Sequence, residues 1–77
     1  MVKFIARKDN TGEQHTYVLD FSQIRTIDVS DTIEVGYKDM VTFIPYQNQG
    51  ITRKEMIEKL NEFLSDDEVR FLELWRS

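Results

Sequence analysis

Few residues in this 77-residue chain are of the types that perform acid–base or nucleophilic chemistry near neutral pH. His15 is the only histidine, and imidazole is the one side chain that ordinarily titrates in that range. Since few titratable strand residues are catalytic, its position favours an ordinary strand histidine. No serine lies in a Gly-x-Ser-x-Gly elbow, and Ser22, Ser30 and Ser65 have the surroundings of turn or cap residues. We therefore predict that the protein is not an enzyme.

The carboxylates are numerous, but their spacing is typical of solvated turns. Asp28 and Asp31 flank one predicted turn, and the acids at residues 66–68 crowd another. A zinc site is not expected because the chain has no cysteine and one histidine, and the acids lack the spacing of a calcium loop. The three glycines are isolated, and none precedes a Lys-Ser or Lys-Thr pair, so no phosphate-binding loop is present. We expect neither a metal ion nor a cofactor.

Basic residues in two parts of the chain predict a different kind of site. If the first predicted strand lies beside the start of the predicted helix, they would form one basic edge. These residues are Lys3, Arg7, Lys8, Arg53 and Lys54. Aromatic residues on the strands would then offer stacking surfaces for a single strand. The net charge of −4 opposes nucleic acid, and no RNA-recognition motif is present. Binding of single-stranded nucleic acid or of a small anion is therefore the alternative hypothesis.

The length and composition predict a single domain over residues 1–77. Hydrophobic residues make up 40% of the chain, which is too apolar for a disordered segment. A domain this small buries little surface and has no cysteine for disulfides, so we expect self-association as a symmetric dimer. The first residues lack the apolar stretch of a secretion signal, and no run is long enough to span a membrane, which favours the cytoplasm.

Alternation of apolar and polar residues, together with a final segment that is apolar on both faces, predicts five strands. They lie at residues 3–7, 14–20, 26–29, 32–37 and 40–44. The dense turn signal Asp-Asn-Thr-Gly at residues 9–12 joins the first two strands as a hairpin. Pro45 ends the fifth strand because it cannot donate a ladder hydrogen bond. The order of these signals predicts an antiparallel meander.

The C-terminal part is predicted to be helical. Thr52 and Glu55 form a capping-box pattern at the start of an amphipathic helix. Its apolar stripe consists of Met56, Ile57, Leu60, Phe63 and Leu64. Residues 65–68 repeat the capping-box pattern, which slightly favours a second short helix. Residues 69–75 would also serve as a strand, and so short a pattern does not decide between the two.

The predicted fold is α+β, with a small antiparallel sheet of about five strands followed by one or two helices on one face. One helix cannot easily cover both faces of such a sheet, so we expect apolar residues to remain for an interface. The candidates are Met40, Ile44, Tyr46, Phe71 and Trp75. A second helix that covers them is the competing interpretation.

The first hypothesis for function is a non-catalytic module that binds another protein and acts as a homodimer. An adaptor, a regulator or an inhibitor would each fit the apolar surplus on a small acidic chain. A small hydrolase or isomerase that uses His15 is a third hypothesis, after the nucleic-acid or anion binder.

Overall fold

Six strands and one helix lie within residues 1–75, the part of the chain that the computed structural model describes. In chain order the elements are β1 (Val2–Lys8), β2 (Gln14–Asp20), β3 (Thr26–Val29), β4 (Thr32–Gly36), β5 (Val41–Pro45), α1 (Arg53–Ser65) and β6 (Phe71–Glu73). One sheet has the strand order β2-β1-β6 and the other the order β3-β4-β5. The predicted α+β class is confirmed, but the strands form two sheets rather than one. No helix in the described range is long and apolar enough to cross a membrane.

The predicted turn at residues 9–12 joins β1 and β2 into an antiparallel hairpin. The Asp9 carboxylate accepts hydrogen bonds from the backbone N–H groups of Thr11 and Glu13, at 2.8 and 3.0 Å. Gly12 has a φ of +86°, a conformation that residues with a Cβ rarely adopt. The turn chemistry read from the sequence therefore sets the register of the hairpin.

The segment between β2 and β3 explains why there are two sheets. Asp20 accepts hydrogen bonds from the backbone and side chain of Ser22, which turns the chain away from β2. The Phe21 ring then packs edge-on against Phe63 of α1, with ring centroids 6.0 Å apart. The chain thus leaves the first sheet before β3 begins, and β3 pairs only with β4 within the described residues.

The predicted capping box at the start of α1 is confirmed. The Thr52 hydroxyl accepts from the backbone N–H of Glu55, and the Glu55 carboxylate accepts from the backbone N–H of Thr52. The residues of the helix that are buried are Met56, Leu60 and Phe63. These three positions belong to the predicted apolar stripe and face the core as its spacing predicted. The other two predicted members do not complete it, since Ile57 is half-buried and Leu64 is exposed.

Residues 71–73 form a strand, so the preference for a second helix over this segment is wrong. Burial alternates along it: Leu72 and Leu74 are buried, whereas Phe71 and Glu73 are exposed. This period of two is that of a strand with one face toward the core.

Pairing with β1 is what decides the conformation of this segment. β6 runs parallel to β1, with Arg70 accepting from the backbone N–H of Phe4 at 2.8 Å. At the other end, the backbone N–H of Leu74 donates to Ala6 at 3.0 Å. A helix here would leave these groups of β1 without their partners, and buried backbone groups rarely remain unpaired.

The core lies between the two sheets and α1. Its buried members are Ile5, Leu19, Ile33, Val35, Ile44, Tyr46, Met56, Leu60, Phe63, Leu72 and Leu74. Ile44 and Tyr46 are therefore not surface residues, which contradicts their predicted place at an interface. Ile44 pairs with Ile33 on the inner face of the second sheet, and the Tyr46 hydroxyl donates to the backbone oxygen of Ser30.

Candidate protein-binding surface

The outer face of the first sheet carries a row of apolar side chains across all three strands. Phe4 of β1 lies opposite Val18 of β2 on one side and Phe71 of β6 on the other. The rings of Phe4 and Phe71 have centroids 6.4 Å apart. Because Ile5 and Leu19 point into the core, alternation directs these neighbouring residues away from it.

Val2 and Trp75 lie on the same face, before and after this row in the direction of β1 and β6. Val2 lies two residues before Phe4 on β1, and Trp75 follows Phe71 with the same period of two. The Lys8 ammonium lies 4.6 Å from the centroid of the Trp75 ring, a cation–π contact at the far end of the same face. The name outer face is used below for Val2, Phe4, Val18, Phe71 and Trp75.

Much of the outer face is accessible to solvent. Val18 is 61% exposed, Phe71 46% and Val2 40%. Within residues 1–75 no element of the chain packs over them, since α1 and the second sheet enclose the opposite side. The same period of two places the exposed carboxylate of Glu73 between Phe71 and Trp75, so the contiguous apolar part of the face is the row Val18–Phe4–Phe71. An exposed apolar row bordered by polar residues is typical of a site for another macromolecule.

A second group of exposed apolar residues lies on the other sheet but is less continuous. Met40, Val41 and Phe43 are each at least half exposed. Across β4, however, Phe43 faces Glu34 and Val41 faces Gly36, so no apolar row crosses this sheet. Since the centre of a protein interface is depleted of charge, the outer face is the better candidate.

The predicted interface residues thus separate into three groups. Phe71 and Trp75 lie on the outer face, Met40 is exposed beside the second sheet, and Ile44 and Tyr46 are in the core. The other members of the outer face, Val2, Phe4 and Val18, are not among the residues predicted from the sequence. The pattern that could have indicated them is that β1 and β2 carry apolar residues at both odd and even positions, which places apolar side chains on both faces of the hairpin.

Lys3, the first of the predicted anion-binding residues, is buried with 1% of its surface exposed. Its ammonium donates to the backbone oxygens of Phe63 and, at 3.0 Å, of Asp66, at the C-terminal end of α1. It also lies 5.4 and 5.0 Å from the ring centroids of Phe21 and Phe63. Lys3 stabilises the end of the helix, so its predicted role in an accessible basic edge is wrong.

The other four predicted basic residues do not form a single basic surface with Lys3. Arg7 Nε donates to the Tyr17 hydroxyl at 2.8 Å, and Arg53 donates to the backbone oxygen of Val29 at 3.1 Å. Lys8 lies on the face of β1 opposite to Arg7, beside Trp75. Lys54 is exposed on α1. Several of these cations therefore organise contacts within the chain.

Asp9, Glu13 and His15 form the one group of described residues whose donor atoms could together hold a metal ion, with all three atoms within 4.8 Å of one another. His15 Nε2 lies 2.8 Å from one oxygen of Asp9, and the other oxygen accepts from Thr11 and Glu13. Hydrogen bonds from the Thr11 side chain and from His15 hold the pKa of Asp9 well below its usual range. Both oxygens of Asp9 are thus engaged by the hairpin itself, which assigns the group to turn stability.

Comparison of the chain with models of protein families, with curated protein sequences and with solved structures found no match.

Proposed function

We propose that the protein is a non-catalytic module that binds another protein through the outer face. The observation that carries this proposal is the uninterrupted row Val18–Phe4–Phe71 across three strands, with Val18 and Phe71 exposed and Phe4 half-buried between them, on a face that no other described element covers. Aromatic residues at the centre of such a row are the side chains most enriched in protein interfaces. We expect the module to act in the cytoplasm.

The energetics of the outer face indicate a contact of modest affinity. Full burial of a valine or phenylalanine side chain contributes about 1.5–3 kcal/mol, and roughly half of Val18 and Phe71 remains to be buried, so together they contribute about 2 kcal/mol. Association costs about 4 kcal/mol or more in lost translational and rotational freedom. Further contacts at the border of the outer face must therefore supplement it in a stable complex.

Self-association is an alternative use of the same face. A symmetric dimer would place one outer face against its copy, with Phe4 and Phe71 near the axis. Light scattering on the purified protein at several concentrations measures the mass directly. A dimer that the variant Val18→Asp converts to a monomer would assign the outer face to self-association.

The test compares two variants that place the same charge on the two exposed apolar regions. Val18→Asp alters the outer face, and Val41→Asp alters a valine that is 50% exposed on the second sheet. Tagged wild type and both variants are used to capture proteins from an extract of the source cells, with and without nuclease. We expect Val18→Asp to lower recovery of a stoichiometric partner at least tenfold, about 1.4 kcal/mol, because a buried unpaired carboxylate is costly.

The matched variant decides where the partner binds. Recovery with Val41→Asp should equal that of wild type, and both variants should melt within a few degrees of it. If Val41→Asp loses the partner and Val18→Asp retains it, the outer face is the wrong surface. If nuclease removes every bound component, the nucleic-acid hypothesis replaces the proposal.

A further inference from the structure

The side of β6 that faces away from β1 is an open strand edge. The hydrogen bonds to β1 use the backbone oxygen of Arg70 and the backbone N–H of Leu74. In a parallel ladder every second residue bonds to the same neighbour, so the N–H and C=O groups of Leu72 also point toward β1. The N–H and C=O groups of Phe71 and Glu73 consequently point to the other side. The Lys59 ammonium lies near this side of the strand, 3.5 Å from the backbone oxygen of Glu73.

A groove of about 460 Å³ runs along this open edge. Its strand side is formed by residues 71–73 together with Trp75, and its helix side by Lys59 and Glu62 of α1. The Lys59 ammonium also lies 3.5 Å from the backbone oxygen of Trp75, at the outer limit of a hydrogen bond. Backbone groups, apolar side chains and charges are therefore available together along one narrow channel.

We propose that this groove binds an extended peptide segment of the partner protein, which adds to β6 as a fourth strand of the first sheet. The inference rests on the proposed function and identifies the contact that supplements the outer face. The outward N–H and C=O groups of Phe71 and Glu73 match the repeat of another extended backbone, and strand addition to such an edge is a recurring mode of peptide recognition. Phe71 and Trp75 border both surfaces, so an added strand enlarges the apolar face.

The charges of the groove define the chemistry of the segment. Its lining has one positive side chain, Lys59, and two negative ones, Glu62 and Glu73. The chain as a whole carries a net charge of −4. These charges favour a segment with a basic residue opposite Glu62 or Glu73, and apolar residues at alternate positions. A second copy of this acidic chain is less suited to the groove than a basic segment.

The test removes one outward backbone donor without changing the pairing between β6 and β1. Glu73→Pro eliminates the N–H of residue 73 and places a ring at the open edge, a position where proline is tolerated in edge strands. Glu73→Ala is the matched control because it removes the same carboxylate and keeps the N–H. The probe is a library of random twelve-residue peptides displayed on phage, selected on wild type and then synthesised with a fluorescent label.

We expect selected peptides with a basic residue among alternating apolar ones, and at least tenfold weaker binding to Glu73→Pro than to Glu73→Ala, about 1.4 kcal/mol. In the wild-type complex, hydrogen exchange at the amides of Phe71 and Glu73 should slow. This second measurement also decides the matter if Glu73→Pro fails to fold.

The opposite results overturn the inference and leave the proposed function separately testable. Equal binding to both Glu73 variants, or unprotected amides at Phe71 and Glu73, excludes strand addition. If peptides that bind equally to both Glu73 variants fail to bind Val18→Asp, the outer face alone binds them and the proposed function stands. Failure to select any peptide excludes an extended ligand, and the extract experiment then tests the outer face by itself. A dimer that Glu73→Pro converts to a monomer would assign the edge to a second copy.

Discussion

Replacement of Lys3 by methionine is predicted to destabilise the fold substantially. The Lys3 ammonium is buried and donates to the backbone oxygens of Phe63 and Asp66. The last turn of α1 contains no basic residue, so Lys3 of β1 supplies the positive charge that favours a helix C-terminus. Methionine retains the length and the apolar stem of the side chain but removes both hydrogen bonds and the charge.

The magnitude follows from the groups that the change leaves behind. A buried acceptor without its donor costs about 1–3 kcal/mol, and a charge at the helix end contributes a further ~0.3–1 kcal/mol. Asp66 is exposed, so water can replace the ammonium at its oxygen, whereas Phe63 is fully buried. The ammonium no longer has to be desolvated, which offsets part of the loss. The expected net loss in the free energy of unfolding is about 1–3 kcal/mol, or roughly 5–20 °C in melting temperature.

Urea unfolding followed by circular dichroism measures this difference, and Lys54→Met is the matched control. Lys54 is exposed on α1, so its replacement should change the free energy of unfolding by less than about 0.5 kcal/mol. A value for Lys3→Met as small as that of the control would refute the reasoning. It would mean that the cost of burying the ammonium equals all that its contacts contribute.

Two further predictions concern the hairpin between β1 and β2. Gly12→Ala should lower the free energy of unfolding by about 1–2 kcal/mol in urea, because the φ of +86° at Gly12 is strained for alanine. The depressed pKa of Asp9 contributes stability that is fully present above the unfolded value near 3.9 and is lost as the pH falls toward the folded value. Urea midpoints from pH 2 to 7 should therefore decline less at acid pH for Asp9→Asn than for wild type or the exposed control Asp39→Asn. Part of the loss of stability at acid pH will remain in Asp9→Asn, because hydrogen bonds from Ser22 also lower the pKa of Asp20. If the urea midpoint of Asp9→Asn falls as steeply at acid pH as that of wild type, the stabilising role of the Asp9 carboxylate is contradicted.

The site was only partly predictable because it depends on which residues share a face. Of the predicted interface residues, Phe71 is exposed and Trp75 is half-buried on the same face. Ile44 was misplaced since its strand is apolar at both parities, and only pairing with Ile33 shows which parity is buried. Lys3 was assigned to the surface because lysine is rarely buried, and its partner oxygens lie 60 or more residues away in the chain.

What the sequence determined by itself was local. The turn at Asp9 and Gly12, the capping box at Thr52 and the stripe that includes Leu60 depend on neighbours within a few residues, and each forms as its pattern indicates. Alternation likewise located the strands near residues 14–20, 26–29 and 32–37, because a strand with one buried face has a period of two wherever it lies. The fifth strand was predicted instead from a short apolar run that lies between a turn and Pro45.

The tertiary structure decided the contacts between distant parts of the chain. Whether residues 71–73 are helix or strand depends on the open edge of β1, and the division into two sheets depends on the packing of Phe21 against Phe63. The outer face exists because α1 covers only the other side of the first sheet, which leaves the row Val18–Phe4–Phe71 without a cover. Such pairings join residues that are far apart in sequence, so their energies have no local pattern from which they could be read.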